Sequence, residues 1–316
     1  MDIEKRNTVG KREDIMSIKV SFITINYNSS EYTLALVTSI KKYTSLGHEI
    51  IIVDNNSKSD DYEKLVEGLG TSEGVNLIKN ELNEGFAAGN MLGQEYASGE
   101  YLFFINNDTE LLNDTTIFMA NYLDIHKDIG LATAKVKDEN GNFSSSYKLF
   151  PSLIKELFGN SVARKFTKYN FPSNKLKLSK PTLVEVVSGS CMFFRSRSFQ
   201  AIGGFDKEFF LYCEEEDISK RIWLAGEKVV FLPSAEIRHY SGGSSEKSFE
   251  MEREYYISYH LLVKKHFSFI SQIILRTLLL FKLFRRGFNR KNGWKLFSCA
   301  LKNCKKEYSL RYIQIK

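Results

Sequence analysis

Short apolar runs alternate with helical patterns along the first third of the chain. Four runs rich in β-branched and aromatic residues predict buried strands at Val20–Tyr27, Glu49–Val53, Val75–Lys79 and Leu102–Ile105. Between them, polar starting residues followed by one apolar face predict helices at Glu31–Tyr43, at Asp60–Leu69, and from within Asn83–Asn90 to about Ala97. This alternation predicts parallel βαβ units, and therefore an α/β fold with a mostly parallel central sheet flanked by helices.

The pattern becomes less regular in the second half of the chain. A helix and then a strand are predicted between residues 115 and 136, and the Lys-rich, aromatic stretch Phe150–Pro181 is predicted to be irregular. Strand patterns return at Leu183–Phe194 and Val229–Leu232. Between these two strands, the acidic run Glu214–Asp217 begins a predicted helix with one apolar face.

Polar residues follow the predicted strands at what should be one edge of the sheet. Asn26, Asp54 and Asp108 each stand at a strand end, and Asn83 follows the third strand. Because the C-terminal ends of parallel strands share one edge, we expect these four residues to converge on one crevice. For Asp108 a plain β-turn is the alternative, since Asn-Asn-Asp-Thr is also good turn chemistry.

The crevice carries groups suited to a nucleotide. Asp54 can accept hydrogen bonds from a base or a ribose hydroxyl, with capping of a turn or helix as its alternative role. Gly85 and Gly89 let the backbone approach a ligand, and the helix that they open directs N–H groups at an anion; a simple turn is the alternative. The G-x-G-x-x-G dinucleotide pattern and the G-x-x-x-x-G-K-[ST] phosphate loop are both absent from the sequence.

Asp108 is the predicted metal ligand at this edge. One or two carboxylates, completed by phosphates of the ligand, are the usual way in which proteins hold Mg²⁺. Asn106 can contribute a carbonyl oxygen or orient a metal-bound water. His239 is a candidate further ligand, although imidazole suits Mn²⁺ less well than carboxylate, and a hydrogen-bonding role is its alternative.

The acidic run is predicted to supply acid–base chemistry. Four adjacent carboxylates repel one another, so at least one should titrate high or find a cation. Asp217 and Arg221 lie four residues apart on the helix and can pair, which makes Asp217 an organising residue. Glu214 or Glu215 is better placed to face a cleft. The alternative is a solvated acidic helix start that complements the helix dipole.

Six motifs follow one another along the chain. They are VDNNS at 53–57, NEGFAAGN at 83–90, INND at 105–108, GSCMFFR at 189–195, GGFDKEFFLYCEEED at 203–217 with Arg221, and HYSGGSS at 239–245. In this order they resemble the motifs of inverting glycosyltransferases of family 2, which have the GT-A (Rossmann-like) fold. The resemblance covers roughly Ser17 to Ser245 and is closest to the bacterial rhamnosyltransferase-like branch that builds surface polysaccharides.

The resemblance implies a role for each matching residue. The residues that would bind a UDP- or dTDP-linked sugar donor are Thr24, Asn26, Asp54, Asn83, Gly85, Asn90, Asn106 and Asn107. Asp108, with His239, would hold Mg²⁺ or Mn²⁺, and Glu215 would be the catalytic base. This chain departs from the family pattern twice: the metal motif lacks its first acid, and the base position holds Glu instead of Asp, which leaves Glu214 as an alternative.

The activity implied by the resemblance is transfer of a sugar, with inversion, to a hydroxyl of a glycan or lipid-linked glycan acceptor. A nucleotidyltransferase and a non-catalytic sugar-nucleotide-binding protein are alternatives. A nucleotidyltransferase on a similar sheet usually has a Gly-rich, basic loop after the first strand, and Asn26–Ser30 contains neither glycine nor a base.

Charge is distributed unevenly along the chain. The 316 residues carry a formal net charge of +6, yet the stretch from Arg276 to the end holds 12 Lys and Arg and one acid, Glu307. The four cysteines lack C-x-x-C spacing and are typical of reduced thiols in a cytoplasmic protein. We predict a frayed extension over 1–16, a GT-A domain over 17–248 with a nucleotide-binding half at 17–110 and an acceptor half at 111–248, and a helical basic tail over 249–316.

The tail favours contact with a membrane surface. Phe267–Phe284 is its most apolar segment, but Arg276 and Lys282 interrupt it, so an amphipathic helix lying on an anionic membrane is predicted instead of a spanning one. A soluble helical cap is one alternative. A nucleic-acid-binding tail is the other, although no nucleic-acid partner is expected. The predicted location is the cytoplasm, peripheral to the inner face of the cell membrane.

Overall fold

The structure, a computed structural model, describes residues 19–169, 171–240, 248–289 and 292–313. The predicted extension over 1–16 and residues 241–245 of the last motif lie outside the described residues. The strands are β1 (Val20–Asn26), β2 (His48–Asp54), β3 (Val75–Lys79), β4 (Tyr101–Ile105), β5 (Thr109–Leu111), β6 (Ile129–Lys137), β7 (Tyr147–Lys148), β8 (Thr182–Leu183), β9 (Val186–Val187), β10 (Cys191–Arg195) and β11 (Lys228–His239).

The helices are α1 (Ser30–Tyr43), α2 (Ser59–Leu69), α3 (Gly85–Gln94), α4 (Thr115–Ile125), α5 (Leu153–Lys165), α6 (Ser196–Ala201), α7 (Glu214–Leu224), α8 (Phe249–His266), α9 (Phe269–Gly287), α10 (Gly293–Leu301) and α11 (Leu310–Ile313). Among the described residues, none of these helices combines the length and the apolar character needed to cross a membrane.

One central sheet organises the protein. Its strand order is β3-β2-β1-β4-β10-β6-β11-β5, and β8 adds to β11. The first four strands of this order are parallel, as are β6 and β11, whereas β10 runs antiparallel between β4 and β6, and β5 runs antiparallel to β11. The predicted α/β fold with a mostly parallel central sheet is confirmed, and the parallel part explains why several strand ends share one edge.

Strand periodicity separates the core into two layers. Phe22 and Phe103 point to one face of the sheet, where they pack with α1 and α4, whereas Ile23 and Phe104 point to the other face, where they pack with α3, α6 and α7. Successive side chains of a strand alternate between faces, so a run that is apolar at every position is buried on both sides. This is why the second and fourth predicted strands read as continuous apolar runs.

Two predictions for the second half were incomplete. The stretch Phe150–Pro181, predicted as irregular, contains α5, which is broken at Gly159 (φ 80°) and has Ala163 as its buried residue. A helix that leaves most of its apolar side chains exposed gives little helical periodicity to read. The strand patterns predicted within Leu183–Phe194, on either side of Ser188-Gly189-Ser190, form three strands instead of two, namely β8, β9 and β10.

The tail packs against α7 and the loop that precedes it. Leu262 of α8 is fully buried in the same cluster as Ile218 of α7. The Ser258 hydroxyl donates to the carbonyl oxygen of Leu211 (2.7 Å), and Lys265 pairs with Asp206 (2.6 Å). The predicted helical character of the tail holds for its described residues, and the division at residue 248 stays a prediction.

Gly85 lies at the contact between the start of α3 and the loop that precedes α7. The Phe86 N–H donates to the carbonyl oxygen of Phe210 (2.7 Å), so the start of α3 lies against the loop that precedes α7. A Cβ at Gly85 would lie 2.1 Å from that carbonyl oxygen, and Gly85 has a φ of 82°. Only glycine fits both the close approach and the left-handed backbone at this position.

Replacement of Gly85 tests this contact. We expect Gly85→Ala to lower the free energy of unfolding by about 2–4 kcal/mol, from backbone strain, the clash and the weakened Phe86 hydrogen bond. Gly141→Ala is the matched control, because Gly141 has a similar φ of 78° with nothing within 4 Å of a Cβ. Denaturant unfolding of both variants at an unchanged m-value measures the difference. Equal destabilisation by the two substitutions would contradict this role of Gly85.

Candidate functional site

The Asn26 side chain joins four elements at the sheet edge. Asn26 and Asp54 are register partners on β1 and β2, and the Asn26 amide donates to Asp54 (2.9 Å) and to Asp61 of α2 (3.0 Å). Its carbonyl oxygen accepts from Thr33 of α1 (2.7 Å). The predicted convergence is confirmed for Asn26 and Asp54, but both are fully buried. Their buried hydrogen bonds therefore stabilise this edge of the sheet.

Asp61 caps the start of α1 from a neighbouring helix. Its carboxylate accepts from the backbone N–H groups of Ser29 (3.1 Å) and Ser30 (3.0 Å) and from the Ser30 hydroxyl (2.8 Å). Burial acts to raise the pKa of Asp61, but these donors and the Asn26 amide lower it overall. The Asn107 amide donates to the Ser29 hydroxyl at the same helix start (2.7 Å). The sequence analysis missed Asp61, whose position in the first turn of α2 resembles that of any helix-start acid.

A cleft of about 230 Å³ opens at this edge. Of the predicted donor-binding residues, it is lined by Asn83, Gly85, Asn90, Asn106 and Asn107. Thr24, like Asn26 and Asp54, is buried, and its hydroxyl has no hydrogen-bond partner among the described residues. The cleft is also lined by Tyr27, which is 46% exposed, and by the backbone segment at Phe210 and Leu211.

Asn55 shapes the floor of this cleft and was missed by the sequence analysis. Its amide donates to Asn83 (2.9 Å) and to the carbonyl oxygen of Gly85 (3.1 Å), and its own carbonyl oxygen accepts from Asn80 (3.1 Å). Its place directly after Asp54 at a strand end is the signal that could have identified it. Asn55 fixes the loop that leads into α3.

The roles of Gly85 and Gly89 at the start of α3 differ from the predicted roles in binding a ligand. The Gly85 N–H donates to Asn83 (2.9 Å) and the Phe86 N–H to Phe210, so these two N–H groups already have partners within the protein. A Cβ at Gly89 would lie 2.9 Å from the Ile25 side chain. Gly89 therefore permits close packing of α3 on β1. Its surroundings do not favour the predicted role of letting the backbone approach a ligand.

Asp108 and His239 meet at the end of the sheet. β5 pairs with β11 so that Thr109 is opposite His239, which brings His239 Nε2 to 3.0 Å from Asp108 Oδ1. The backbone N–H of Tyr240 donates to the carbonyl oxygen of Asp108 (2.9 Å). Over the described ranges, no group of three or more His, Cys, Asp and Glu is arranged to hold a metal ion. These two side chains can therefore offer a metal two donors, and further ligands would have to come from the substrate or water.

The acidic run starts α7 immediately after a left-handed turn. Tyr212 (φ 70°) and Cys213 (φ 67°) precede Glu214, which is buried. The Glu215 carboxylate lies 2.7 Å from Lys148 Nζ through Oε1, and the Glu216 carboxylate lies 2.5 Å from the same ammonium. Among the described residues, the Oε2 atoms of Glu214, Glu215 and Glu216 are all buried and have no hydrogen-bond partner. The predicted cation for this run is Lys148, on β7.

The three glutamates differ in their electrostatics. Burial, followed by repulsion from Glu215, raises the pKa of Glu214 well above its ordinary value. Burial and the charge of Glu215 also raise the pKa of Glu216 to about 7. Burial acts in the same direction on Glu215, but the Lys148 ammonium and its hydrogen bond bring the pKa of Glu215 below the ordinary value. Among the three glutamates, Glu215 is therefore the one whose ionised form its surroundings favour.

Glu215 lies beside the edge that carries Asp108. The Asn106 N–H donates to the carbonyl oxygen of Ser190 (3.2 Å), which ties the end of β4 to the turn before β10. A Cβ at Gly189, in that turn, would lie 4.0 Å from Glu215 Cβ and Cδ. The turn before β10 therefore lies between the end of β4 and the Glu215 side chain.

Asp217 organises the base of α7. The predicted ion pair with Arg221 is present (2.7 Å), and α8 adds Lys265 (2.8 Å) and His266 (2.7 Å) to the same fully buried carboxylate. Burial acts to raise the pKa of Asp217, but the His266 hydrogen bond and the Arg221 charge lower it to about 2. Asp217 therefore connects α7 to α8 of the tail.

A larger cavity of about 540 Å³ lies away from the strand ends. It is lined by aromatic residues that include Phe150, Phe171 and Trp223, and its polar groups include Glu185 and Lys220. It shares no lining residue with the cleft at the sheet edge. The chemistry predicted from the sequence is concentrated at the smaller cleft.

Known proteins resemble this chain over parts of their length. The N-acetylglucosaminyl-diphospho-decaprenol L-rhamnosyltransferase of Mycobacterium tuberculosis is 32% identical over 114 residues, which cover 35% of this chain and 37% of that protein. The rhamnosyltransferase WbbL of Escherichia coli (strain K12) is 27% identical over 146 residues, 46% of this chain and 54% of that protein. The inactive polypeptide N-acetylgalactosaminyltransferase-like protein 5 of Macaca fascicularis is 26% identical over 238 residues, 73% of this chain and 53% of that protein. The chain spans about a third to a half of the length of these curated relatives.

Solved structures share the fold at low identity. The S. aureus TarS 1-349 structure in complex with UDP-GlcNAc has a TM-score of 0.57 and 18% identity, covering 91% of this chain and 80% of that one. The GalNAc-T7 structure with UDP, GalNAc and Mn²⁺ has a TM-score of 0.58 and 19% identity, covering 78% of this chain and 48% of that one. These likenesses identify the fold as GT-A.

The match to a protein-family model establishes the family of this chain. Residues 21–203, more than half of the chain, match the model of the family described as Glycosyl transferase family 2. That range includes the first sheet strands, the cleft at their ends, and Asp108. The chain belongs to glycosyl transferase family 2.

Proposed function

We propose that the protein is an inverting glycosyltransferase. It moves a sugar from a UDP- or dTDP-linked donor to a hydroxyl of a glycan or lipid-linked glycan acceptor during synthesis of a surface polysaccharide. The observation that carries the proposal is the position of Glu215, which pairs with Lys148 through Oε1 and packs on the turn that is hydrogen-bonded to the end of β4. The rhamnosyltransferase relatives support the reaction class and the lipid-linked acceptor.

The donor occupies the cleft at the strand ends. Tyr27 offers an exposed ring and Asn55, Asn83 and Asn90 offer amide groups, which together suit a nucleoside and its sugar. The buried pair Asn26 and Asp54 supports this cleft from below. The UDP-GlcNAc bound in the TarS structure supports a nucleotide sugar as the ligand class.

Asp108 and His239 hold a divalent metal together with the donor diphosphate. Their side chains are 3.0 Å apart at neighbouring strand ends, which fits a site of one carboxylate and one imidazole completed by phosphate oxygens. When bound, Mg²⁺ or Mn²⁺ supplies positive charge that stabilises the departing diphosphate. The Mn²⁺ in the GalNAc-T7 structure supports the presence of a metal in this fold.

Glu215 acts as the general base. The acceptor hydroxyl oxygen forms a bond to the anomeric carbon while the bond from that carbon to the diphosphate oxygen breaks, and the hydroxyl proton passes to Glu215 Oε2. A single displacement of this kind inverts the anomeric configuration. Lys148 occupies the other oxygen of Glu215, and Gly189 leaves room beside the carboxylate.

The tail places the enzyme at an anionic membrane surface. Residues on one stripe of α9, continued by Phe288, are exposed although they are apolar, and they are Ile270, Ile273, Ile274, Phe281, Phe284 and Phe288. The opposite stripe, with Leu275 and Leu283, is buried. A helix that is apolar on both stripes needs a further apolar surface to cover the exposed one.

Charge around this stripe favours lipid as the covering surface. Arg276, Lys282 and Arg285 flank it, and Phe288 packs edge-on against Trp294 (ring centroids 4.9 Å apart) at its end. Aromatic and aliphatic side chains between bases are suited to the interface of an anionic bilayer. An acceptor carried on a lipid would be presented at the same surface.

Replacement of Glu215 tests the catalytic proposal. We expect Glu215→Gln to keep the affinity for the nucleotide sugar and to lower the transfer rate by about 10²–10⁴-fold, because the amide cannot accept the hydroxyl proton. Glu214→Gln is the matched control, and it should retain most of the activity because burial and repulsion from Glu215 raise the pKa of Glu214, which favours its neutral form. Donor binding by calorimetry and release of nucleoside diphosphate measure the two effects.

Three results would count against the base assignment or the proposed activity. Full turnover by Glu215→Gln would exclude Glu215 as the base, and loss of turnover in Glu214→Gln alone would transfer the role to Glu214. Donor binding without any transfer by the wild-type protein would favour a non-catalytic sugar-nucleotide-binding protein.

Vesicle flotation tests the membrane proposal. We expect the wild-type protein to float with phosphatidylglycerol-rich vesicles more than with neutral ones, and to be released by salt. The double variant Ile273→Ser/Phe281→Ser should weaken vesicle binding by at least about tenfold, because two apolar side chains no longer enter the bilayer. Ile125→Ser, at an exposed apolar residue of α4, should bind as the wild type does. Equal binding by all three proteins, or tighter binding to RNA than to vesicles, would contradict the proposal.

A further inference from the structure

A pocket of about 200 Å³ lies where α8 packs against the segment that precedes α7. Three of its lining side chains are tyrosines, and two more form an ion pair. This tyrosine pocket is lined by Tyr212, Met251, Glu252, Tyr255, Tyr256 and Arg286. All six residues follow residue 203, where the match to the family model ends, so the pocket belongs to the part of the chain outside that match.

Helical spacing on α8 forms one wall of the tyrosine pocket. Met251 and Tyr255 are four residues apart, which places them on the same side of the helix. Glu252 and Tyr256 have the same spacing beside them. The Tyr255 ring packs edge-on against both Tyr212 (ring centroids 5.9 Å apart) and Tyr256 (5.3 Å). The three rings therefore form a continuous aromatic wall, of which Tyr255 is 41% exposed.

An ion pair supplies the charged groups of the tyrosine pocket. Arg286 of α9 pairs with the Glu252 carboxylate, and its guanidinium also donates to the Tyr256 hydroxyl (3.3 Å). In the described structure, the buried Nε of Arg286 has no hydrogen-bond partner. Because the two charges cancel, the pocket offers hydrogen-bonding groups without a net charge. A neutral ligand that carries hydroxyl groups is therefore favoured over a phosphate.

The tyrosine pocket adjoins the cleft at the strand ends. Leu211 lines that cleft, and the next residue, Tyr212, lines the pocket. The left-handed backbone at Tyr212 and Cys213 then leads directly into α7, whose second residue is Glu215. Burial, followed by the charges of Glu214 and Glu215, raises the pKa of Tyr212, so these carboxylates lie close to the aromatic wall. The acidic run thus stands beside both openings.

We propose that the tyrosine pocket is the subsite that binds a sugar ring of the acceptor. This role rests on the proposed glycosyl transfer. A sugar ring presents an apolar C–H face that can pack on Tyr255 and hydroxyl groups that can reach Arg286 and Glu252. The tail would then determine which acceptor the enzyme uses.

The size and polarity of the pocket support a sugar over other ligands. Sites for drug-sized ligands have volumes of about 300–1,000 Å³, so a pocket of about 200 Å³ suits a single ring and is small for a nucleotide. A lipid chain would cover Arg286 and Glu252 without replacing their hydrogen bonds to water, which is unfavourable.

Saturation-transfer NMR with the methyl glycosides of glucose, galactose, N-acetylglucosamine and rhamnose tests binding without turnover. We expect saturation to reach the ring protons of at least one glycoside while UDP or dTDP fills the nucleotide site. Tyr255→Ala should weaken the affinity for that glycoside by at least about fivefold, because it removes the exposed ring face. Tyr255→Phe keeps the ring and should retain most of the binding.

Two further variants control for changes in folding. Met251→Trp fills the pocket while it keeps all three tyrosines, and it should also weaken binding by at least about fivefold. Tyr96→Ala removes a tyrosine that is 51% exposed and lines neither the cleft nor the tyrosine pocket, so it should bind as the wild type does. Thermal unfolding identifies a variant that is not folded.

Three results would overturn the subsite. The first is no saturation transfer to the ring of any of these glycosides in the wild-type protein. The second is wild-type affinity in folded Tyr255→Ala and Met251→Trp proteins. The third is transfer of saturation from the protein to the alkyl chain of octyl glucoside alone, which would show that the pocket takes a lipid chain instead of a sugar.

Transfer assays separate the subsite from the proposed activity. With the glycoside that binds as acceptor, Tyr255→Ala should raise the KM for the glycoside by about fivefold or more and leave donor affinity unchanged. An unchanged glycoside KM in this variant would refute the subsite while the proposed transfer stands. Binding of a glycoside that depends on Tyr255, in a wild-type protein that transfers no sugar, would refute the proposed function, and the acceptor role of the pocket with it.

Discussion

The structure around the cleft depends on the contact between Gly85 and the backbone of Phe210. It fixes the start of α3 against the segment that next forms the left-handed turn at Tyr212 and Cys213 and then α7. The same segment lines the cleft at the strand ends. The cleft and Glu215 are therefore set by one backbone contact, which explains why a glycine with positive φ is required there.

Two buried carboxylates anchor the elements on either side of this contact. Asp54 is held by the Asn26 amide at the edge of the parallel strands, and Asp217 is held by Arg221, Lys265 and His266 between α7 and α8. A buried charge is tolerated only when its partners replace the lost hydration. Both carboxylates have such partners and therefore stabilise the fold around the site.

The tail extends this arrangement outward. α8 reaches the catalytic helix through Lys265 and His266, and α9 presents its exposed apolar stripe on the other side of the tail. A membrane that covers this stripe would hold the whole domain in a fixed orientation, because α8 is packed into the core at Leu262. Contact with a membrane surface and orientation of the active site would thus depend on the same helices.

Much of the first half could be predicted from the sequence because its determinants are local. Apolar runs identify strands buried on both faces, parallel alternation places Asn26 beside Asp54, and spacing of four residues pairs Asp217 with Arg221. The partners of distant residues could not be predicted in this way. Lys148 reaches Glu215 and His266 reaches Asp217 only through the tertiary fold, and α5 leaves most of its apolar residues exposed, so its periodicity does not reveal it. Sequence motifs also could not distinguish Gly89, which permits close packing of α3 on β1, from the residues that line the cleft.

A crystal structure of the protein with a non-hydrolysable nucleotide sugar and Mn²⁺ tests the central claim most directly. The account predicts the nucleoside beside Tyr27 and Asn55, the metal and diphosphate on Asp108 and His239, and the anomeric carbon facing Glu215 Oε2. A nucleotide bound instead in the aromatic cavity around Phe150 and Trp223, or a metal held away from Asp108, would contradict it.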